Sequence, residues 1–243
     1  MHYHTGFVDE SRPSASPAGL RAQLVESQER MLRYASDAWN FHKMDFRDIL
    51  DVGCGLGGSA IFLAQEFGAS VTGITIAPSH IELIAEFARR AGVESRVSPI
   101  LCEASAVPGE RCFDAAIALE SSSLFPRRPW FRCLARLMRS GGRVFVFDCF
   151  LERCEYEAPF NTHWCGQIGT AQEYIDAARE VGFRLTASED TSLRTATFWR
   201  TTLELIRAEA KELRDSAQLP AIEESFETHR LMGQGLIDGG FGN

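Results

Sequence analysis

The sequence predicts an α/β fold, a mostly parallel sheet with helices on both faces, and three observations carry that expectation. Residues 49–63 open as a short apolar run, turn through four glycines and continue as an apolar helix, which is the start of a βαβ unit with a ligand at its carboxyl edge. Residues 113–119 are apolar except for Asp114 near the head, as in a strand buried on both faces. With these two included, five strand-like runs alternate with helical patterns, the rhythm of a parallel sheet.

Composition bounds the answer. At 243 residues and 27.0 kDa the chain suits one α/β domain with some insertion. A net charge of −8 and a pI near 5.3 argue against a nucleic-acid surface. No apolar run reaches the length of a membrane span, and the amino terminus lacks the apolar core of a signal peptide, so a cytoplasmic protein is expected. Its seven cysteines are odd in number, scattered, and never in a C-x-x-C pair. Free thiols fit that pattern better than disulfides or zinc, and no resident metal is expected.

In chain order, Met1 to Phe7 holds too many aromatic rings for a disordered tail and reads as a flap, with a frayed end or tag remnant as the plain alternative. Ser11 to Gly19, with Pro13 and Pro17 among serines, reads as a linker. Residues 1–19 are thus flap and linker, and residues 20–243 one domain. Leu20 to about His42 has helical apolar spacing and reads as a capping helix. After the glycine turn come a second strand at Ser70 to Ile76, a helix opened by Pro78 and closed at Gly92, and a third strand at Arg96 to Leu101.

The fourth strand, Phe113 to Leu119, ends in Glu120, which should look into the ligand crevice because residues just past a strand's carboxyl end do so. A helix at Pro129 to Met138 and a fifth strand at Arg143 to Phe147 follow. Residues 148–170 show neither period and read as a substrate-facing insertion. Glu173 to Val181 is a helix, Phe183 to Ser188 a sixth strand, and residues 197–215 a lid helix.

The glycines 53, 55 and 58 also satisfy G-x-G-x-x-G, so by themselves they do not separate a dinucleotide site from other nucleotide-like ligands. Asp51 does, because it stands two residues before the turn, where a dinucleotide fingerprint asks for no acid. The fingerprint asks for one about twenty residues on, and the second strand ends without it. NAD is therefore disfavoured.

Asp-x-Gly-x-Gly-x-Gly after an apolar run resembles the first motif of the class I S-adenosylmethionine (SAM)-dependent methyltransferases. That resemblance implies a Rossmann-like fold with an N-terminal cap and lid helices, and SAM as cofactor. It places cofactor contacts on Asp51, Gly53, Cys54, Gly55, Gly57, Thr75, Ile76, Glu103, Ala104 and Glu120, with Tyr3 and His4 closing over them. Two departures stand out: Thr75 replaces the usual ribose acid, as in the tocopherol and sterol branches, and Ser140 replaces a usual proline. The family's antiparallel seventh strand beside the fifth also finds no good match in the closing Asp238 to Asn243.

Glu120, the stretch Phe160-Asn161-Thr162-His163-Trp164 followed by Glu173-Tyr174, the histidine-rich start and the closing Ile222 to Phe226 are similar to the prenyl diphosphate C-methyltransferases, the group that includes geranyl diphosphate 2-C-methyltransferase. That branch implies methylation of an alkene carbon through a carbocation. Trp164 would face the cation, Glu120 would take the proton, and Asn161 would orient substrate or water, with His163 beside them. Plain alternatives stand next to these: Trp164 as a core plug, His163 as a satisfied loop histidine, Glu120 as a cofactor ligand only.

A diphosphate would call for cations and Mg²⁺. Arg127, Arg128, Arg194, Arg200, His2 and His4 are the candidates, and none forms a motif. Two other readings compete: an N- or O-methyltransferase of a hydrophobic specialised metabolite, and a SAM-binding cyclase that does not methylate. The partner expected throughout is a small hydrophobic substrate, with homo-oligomerisation left open.

Overall fold

The computed structural model describes residues 4–12, 14–210 and 219–243. Its centre is a five-stranded parallel sheet in the order β3-β2-β1-β4-β5, built from β1 (Asp48–Val52), β2 (Ser70–Thr75), β3 (Val97–Leu101), β4 (Phe113–Leu119) and β5 (Met138–Phe147). The order reverses between β1 and β4, so the crevice above their carboxyl ends is where a ligand belongs.

Alternate residues serve the two faces, which is why the strands read as continuous apolar runs. Ile49, Ala115 and Ile117 pack with Ile61 and Leu63 of α2 (Gly58–Phe67) and Ile84 and Ala88 of α3 (Pro78–Arg90). Leu50, Val52, Ala116 and Ala118 pack on the other face, with Trp130 and Leu134 of α4 (Arg127–Leu137) and Tyr174 of α6 (Ala171–Arg179). Burying such side chains is worth roughly 1.5–3 kcal/mol each, which makes the two layers the main source of stability.

Local chemistry sets the element ends. Ser16 accepts a bond from Gly19 N and Pro17 opens α1 (Pro17–Ala38), so the helix starts inside the stretch expected to be linker. It also stops earlier than the expected His42, because Asn40 turns left-handed (φ 58°). Thr170 and Glu173 form a reciprocal capping box that starts α6.

Three expectations need correction. The stretch 148–170 is not irregular: it holds β6 (Phe150–Leu151) and α5 (Glu157–Trp164). The lid helix is α7 (Ser192–Ala210), starting five residues before the expected 197, while 211–215 lie outside the described residues. Phe183 to Ser188 is not a strand. Phe183 packs into the core beside Phe131, but Leu185 is half exposed, and a cavity of about 1430 Å³ separates 183–189 from β5. A strand exists only where its backbone groups find a ladder, and that segment finds none.

Among the described residues no seventh strand lies beside β5. The chain instead runs through α8 (Leu219–Ile237) to β7 (Phe241–Gly242), which pairs antiparallel with β6. Helices α7 and α8 and this small ribbon enclose a second core of Phe160, Ile168, Trp199, Met232 and Phe241. No helix among the described residues is long and apolar enough to cross a membrane.

Candidate active site

The turn after β1 is set by backbone geometry. Gly53, Gly55 and Gly57 have φ of +73°, +53° and +79°, a region side chains with a Cβ rarely enter. Close approach adds a second constraint, since a Cβ on Gly53 would stand 2.6 Å from that of Ser121. The turn delivers the chain into α2, whose first N–H groups and dipole favour a polar ligand above them.

Asp51, one residue before the end of β1, is 1% exposed and accepts from the Ser59 hydroxyl and the Ala60 N–H, so it ties the strand to the start of α2. Burial pushes its carboxyl up to about 7, against those two bonds. Cys54 is buried over Gly73, and burial pushes its thiol up, so it is a filler of the turn and no nucleophile.

The walls of the crevice come from the next strands. Thr75 is buried and accepts from Ala77 N at 3.2 Å, opening the path into α3. Ile76 just past β2 is 75% exposed and Leu101 at the end of β3 is 52% exposed. Apolar side chains bared at adjacent strand ends, next to a glycine turn with free helix N–H groups, suit a flat heterocycle with a ribose below it. Exposed Glu103 and buried Ala104 follow at the same level. The residues therefore fit a SAM-type cofactor.

Glu120 stands at the other side of that turn. Its φ of +48° is rare for a residue with a side chain and costs on the order of 1 kcal/mol, a strain that persists only where the surroundings impose it. They do so here: Glu120 N donates to Phe147 O at 2.7 Å, and Ser121 donates to Val52 O at 2.6 Å. The carboxylate accepts from Thr5 N at 2.8 Å and from the Thr5 hydroxyl. Burial pushes it up to about 7 against the Thr5 bonds, with the nearby Asp148 adding to the rise.

Asp148, which the reading of the sequence did not single out, shapes the site from beneath. Buried at the end of β5, it accepts from Ser122 N at 2.7 Å, the Ser122 hydroxyl at 2.6 Å and Cys149 N at 2.8 Å, which fixes the turn carrying Glu120. The signal was present, since it follows a strand end just as Glu120 does. Thr5 was also missed, although the flanking His4 was named; nothing in its type marks it.

The insertion docks beside this turn through Gln167 N, which donates to Ser123 O at 2.6 Å. Asn161 is turned inward to accept from Ile168 N at 2.8 Å, so its oxygen shapes the loop and its amide is left to donate. His163 bonds Thr228 of α8 through Nδ1 at 2.9 Å. Since the Thr228 hydroxyl donates to Glu224 O, it receives from His163, which leaves Nε2 as the acceptor. Trp164 stacks edge-on with His163 and Trp199 in the lid core, and its buried indole N–H has no partner among the described residues.

His4 is buried, with Nδ1 2.7 Å from Thr5 O; Tyr3 and His2 lie outside the described residues. Each arginine considered for a diphosphate has a protein partner, although the buried Nε of Arg127 has none among the described residues. Arg127 lies over Tyr174 and bonds Gln167 O, Arg128 pairs with Glu180, Arg194 is clamped between Phe7 and Tyr34, and Arg200 pairs with Glu10.

A family model described as a methyltransferase domain matches residues 49–142. A chloroplastic tocopherol O-methyltransferase of Arabidopsis thaliana is 24% identical over 93% of this chain and 72% of its own length. Geranyl diphosphate 2-C-methyltransferase of Streptomyces lasalocidi is 27% identical over 94% of this chain and 76% of its own. The crystal structure of geranyl diphosphate C-methyltransferase from Streptomyces coelicolor A3(2), with Mg²⁺, geranyl diphosphate and S-adenosyl-L-homocysteine, has the same fold. It superposes with a TM-score of 0.81 at 19% identity, over all of this chain and 90% of that one. The matched segment begins on the strand that carries Asp51 and closes inside β5, so the likeness falls on the crevice itself, and residues 49–142 are the methyltransferase domain of a SAM-dependent enzyme.

Proposed function

We propose that the protein methylates an alkene carbon of a prenyl diphosphate, with Glu120 removing a proton from the resulting carbocation. The observation that carries this reading is Glu120 itself: a carboxylate on a strained turn, in contact with the cofactor turn through Ser121 and Gly53, with its carboxyl held near 7. A base is most effective when its pKa lies near the working pH.

The bound cofactor supplies an electrophilic methyl group. As the alkene π electrons take up the methyl group, its bond to the donor sulfur breaks and the sulfur leaves as a neutral thioether; the new C–C bond leaves a tertiary cation on the neighbouring carbon, and loss of an adjacent proton to Glu120 restores a double bond. The flap over Glu120 excludes water that would otherwise quench the cation. In this reading the ring of Trp164, packed edge-on against Trp199, is the aromatic face for the cation, worth about 2 kcal/mol in a desolvated site. Likeness to geranyl diphosphate C-methyltransferases over nearly the whole chain supports the acceptor class.

A second reading, N- or O-methylation of a hydrophobic metabolite, is favoured by the arginines, each already engaged. Among the described residues no three His, Cys, Asp or Glu side chains gather to hold a metal, so Mg²⁺ would arrive with a diphosphate. The test is incubation with labelled SAM and a panel of prenyl diphosphates, phenols and amines, followed by mass spectrometry of the products. Label on a prenyl carbon, lost in Glu120→Gln, is the expected result. Label only on oxygen or nitrogen establishes the second reading, and SAM binding with no turnover leaves the cyclase.

A further inference from the structure

We propose that Thr5 positions the Glu120 carboxylate, so that the proton acceptor is assembled only when the amino-terminal flap is docked. The proposal rests on the reading of Glu120 as the base, and deepens it. Two donors from a single residue meet the carboxylate: Thr5 N reaches Oε2 at 2.8 Å and the Thr5 hydroxyl reaches Oε1. Donors on both oxygens fix the carboxylate plane and favour its ionised form. Thr5 is 2% exposed, so solvent does not compete for the pair.

The flap owes its place to α1 rather than to Glu120 alone. Phe7 N donates to Ser27 O at 2.9 Å, Gln28 donates to His4 O at 2.6 Å, and Arg30 donates to Phe7 O at 2.7 Å. The Phe7 ring packs against Tyr34 and Phe147 beneath the Arg194 guanidinium. Thr5 therefore sits on an anchored segment, and the flap supplies a catalytic geometry as well as a cover.

The other groups facing Glu120 do not replace these donors. Asp148 faces it from the end of β5 and opposes its ionisation, and the Cys149 thiol beside them is held protonated by burial. His4 lies next to Thr5 on the flap, with Nδ1 on the Thr5 carbonyl. Among the described residues no arginine or lysine pairs with Glu120. Removing the Thr5 hydroxyl should raise the pH at which Glu120 ionises, leaving its backbone donor in place.

The test has two arms. The first is kcat/KM against pH for wild type, Thr5→Val, Thr5→Ser, Glu120→Gln and the Thr5→Val/Glu120→Gln double variant, on whichever acceptor the enzyme turns over. Expected for Thr5→Val is an acid limb moved up by about one pH unit and a loss of about fivefold at pH 7 that shrinks by pH 9. Thr5→Ser should restore the wild-type profile, and Thr5→Val should add little to Glu120→Gln. A Thr5→Val profile that only drops in parallel, without rescue by serine, overturns the proposal.

The second arm needs no acceptor: hydrogen exchange of residues 4–9 in Glu120→Gln, which sets an amide NH₂ against one of the two donors. Faster exchange than wild type is expected, and unchanged exchange refutes the contact. If the prenyl reading fails in favour of another acceptor both arms stand, and if nothing is turned over the second arm still tests the contact, so the two ideas fall separately.

Discussion

At the scale of single residues, Gly53 carries the sharpest constraint. Alanine there must hold a φ of +73° and find room 2.6 Å from the Ser121 Cβ, on the turn that also bears Glu120. Gly53→Ala should weaken SAM binding at least about tenfold, the strain costing on the order of 1–3 kcal/mol, as read by isothermal titration calorimetry. Glu120→Gln separates binding from chemistry at the neighbouring position. Its kcat should fall by about 10²–10⁴, with SAM affinity kept; a fall in affinity with unchanged kcat would return Glu120 to a cofactor ligand. For the wild type, kcat/KM should drop as pH falls through about 7, because the base must be ionised. Gly53, Asp51 and Glu120 were legible because strand ends and glycine turns announce themselves by pattern. What Asp51 bonds was not legible, since Ser59 lies beyond the turn and only the turn's path brings it back.

Among elements, the flap depends on one small residue. A Cβ on Gly6 would stand 2.5 Å from the Ser27 carbonyl carbon and 2.6 Å from Gln28 N, both backbone atoms that do not yield. Gly6→Ala should lift residues 4–7 off α1, exposing Glu120. The expected readout is faster hydrogen exchange over those residues and about a tenfold or greater loss of kcat/KM, with Tm lowered little; exchange like the wild type's would show that the flap tolerates the methyl. The aromatic density of residues 1–7 pointed to a flap, but not to its seat, which α1 decides. The lid was legible only in part. The helical period gave α7 within a few residues, while α5 was missed because its eight residues include Pro159 and carry two strong polar breaks, Asn161 and His163. Its helix is held by the packing of Phe160 on Phe241, a contact across 81 positions that no local period encodes.

For the molecule as a whole, the buried carboxyls set its response to pH. Asp51 and Glu120 both have folded-state values raised to about 7, and burial raises Asp148 as well. Between the ordinary carboxyl range and pH 7 the folded chain thus binds more protons than the unfolded one, so stability falls as pH rises through that window. The cofactor-free protein should show a Tm that declines from about pH 5 to pH 8, and less steeply in Glu120→Gln; a Tm that rises across the window would show these groups ionised at no cost. The sequence by itself determined the sheet, its parallel sense, the cofactor turn and the position of Glu120, because buried strands, glycine turns and strand ends are written in local composition and period. Only the tertiary structure decided which groups meet: Thr5 on Glu120, Asp148 under Ser122, His163 on Thr228, and Phe183 to Ser188 left without a ladder. Those outcomes depend on partners 26 to 115 residues away, and pairing across such distances is fixed by packing and desolvation, not by propensity.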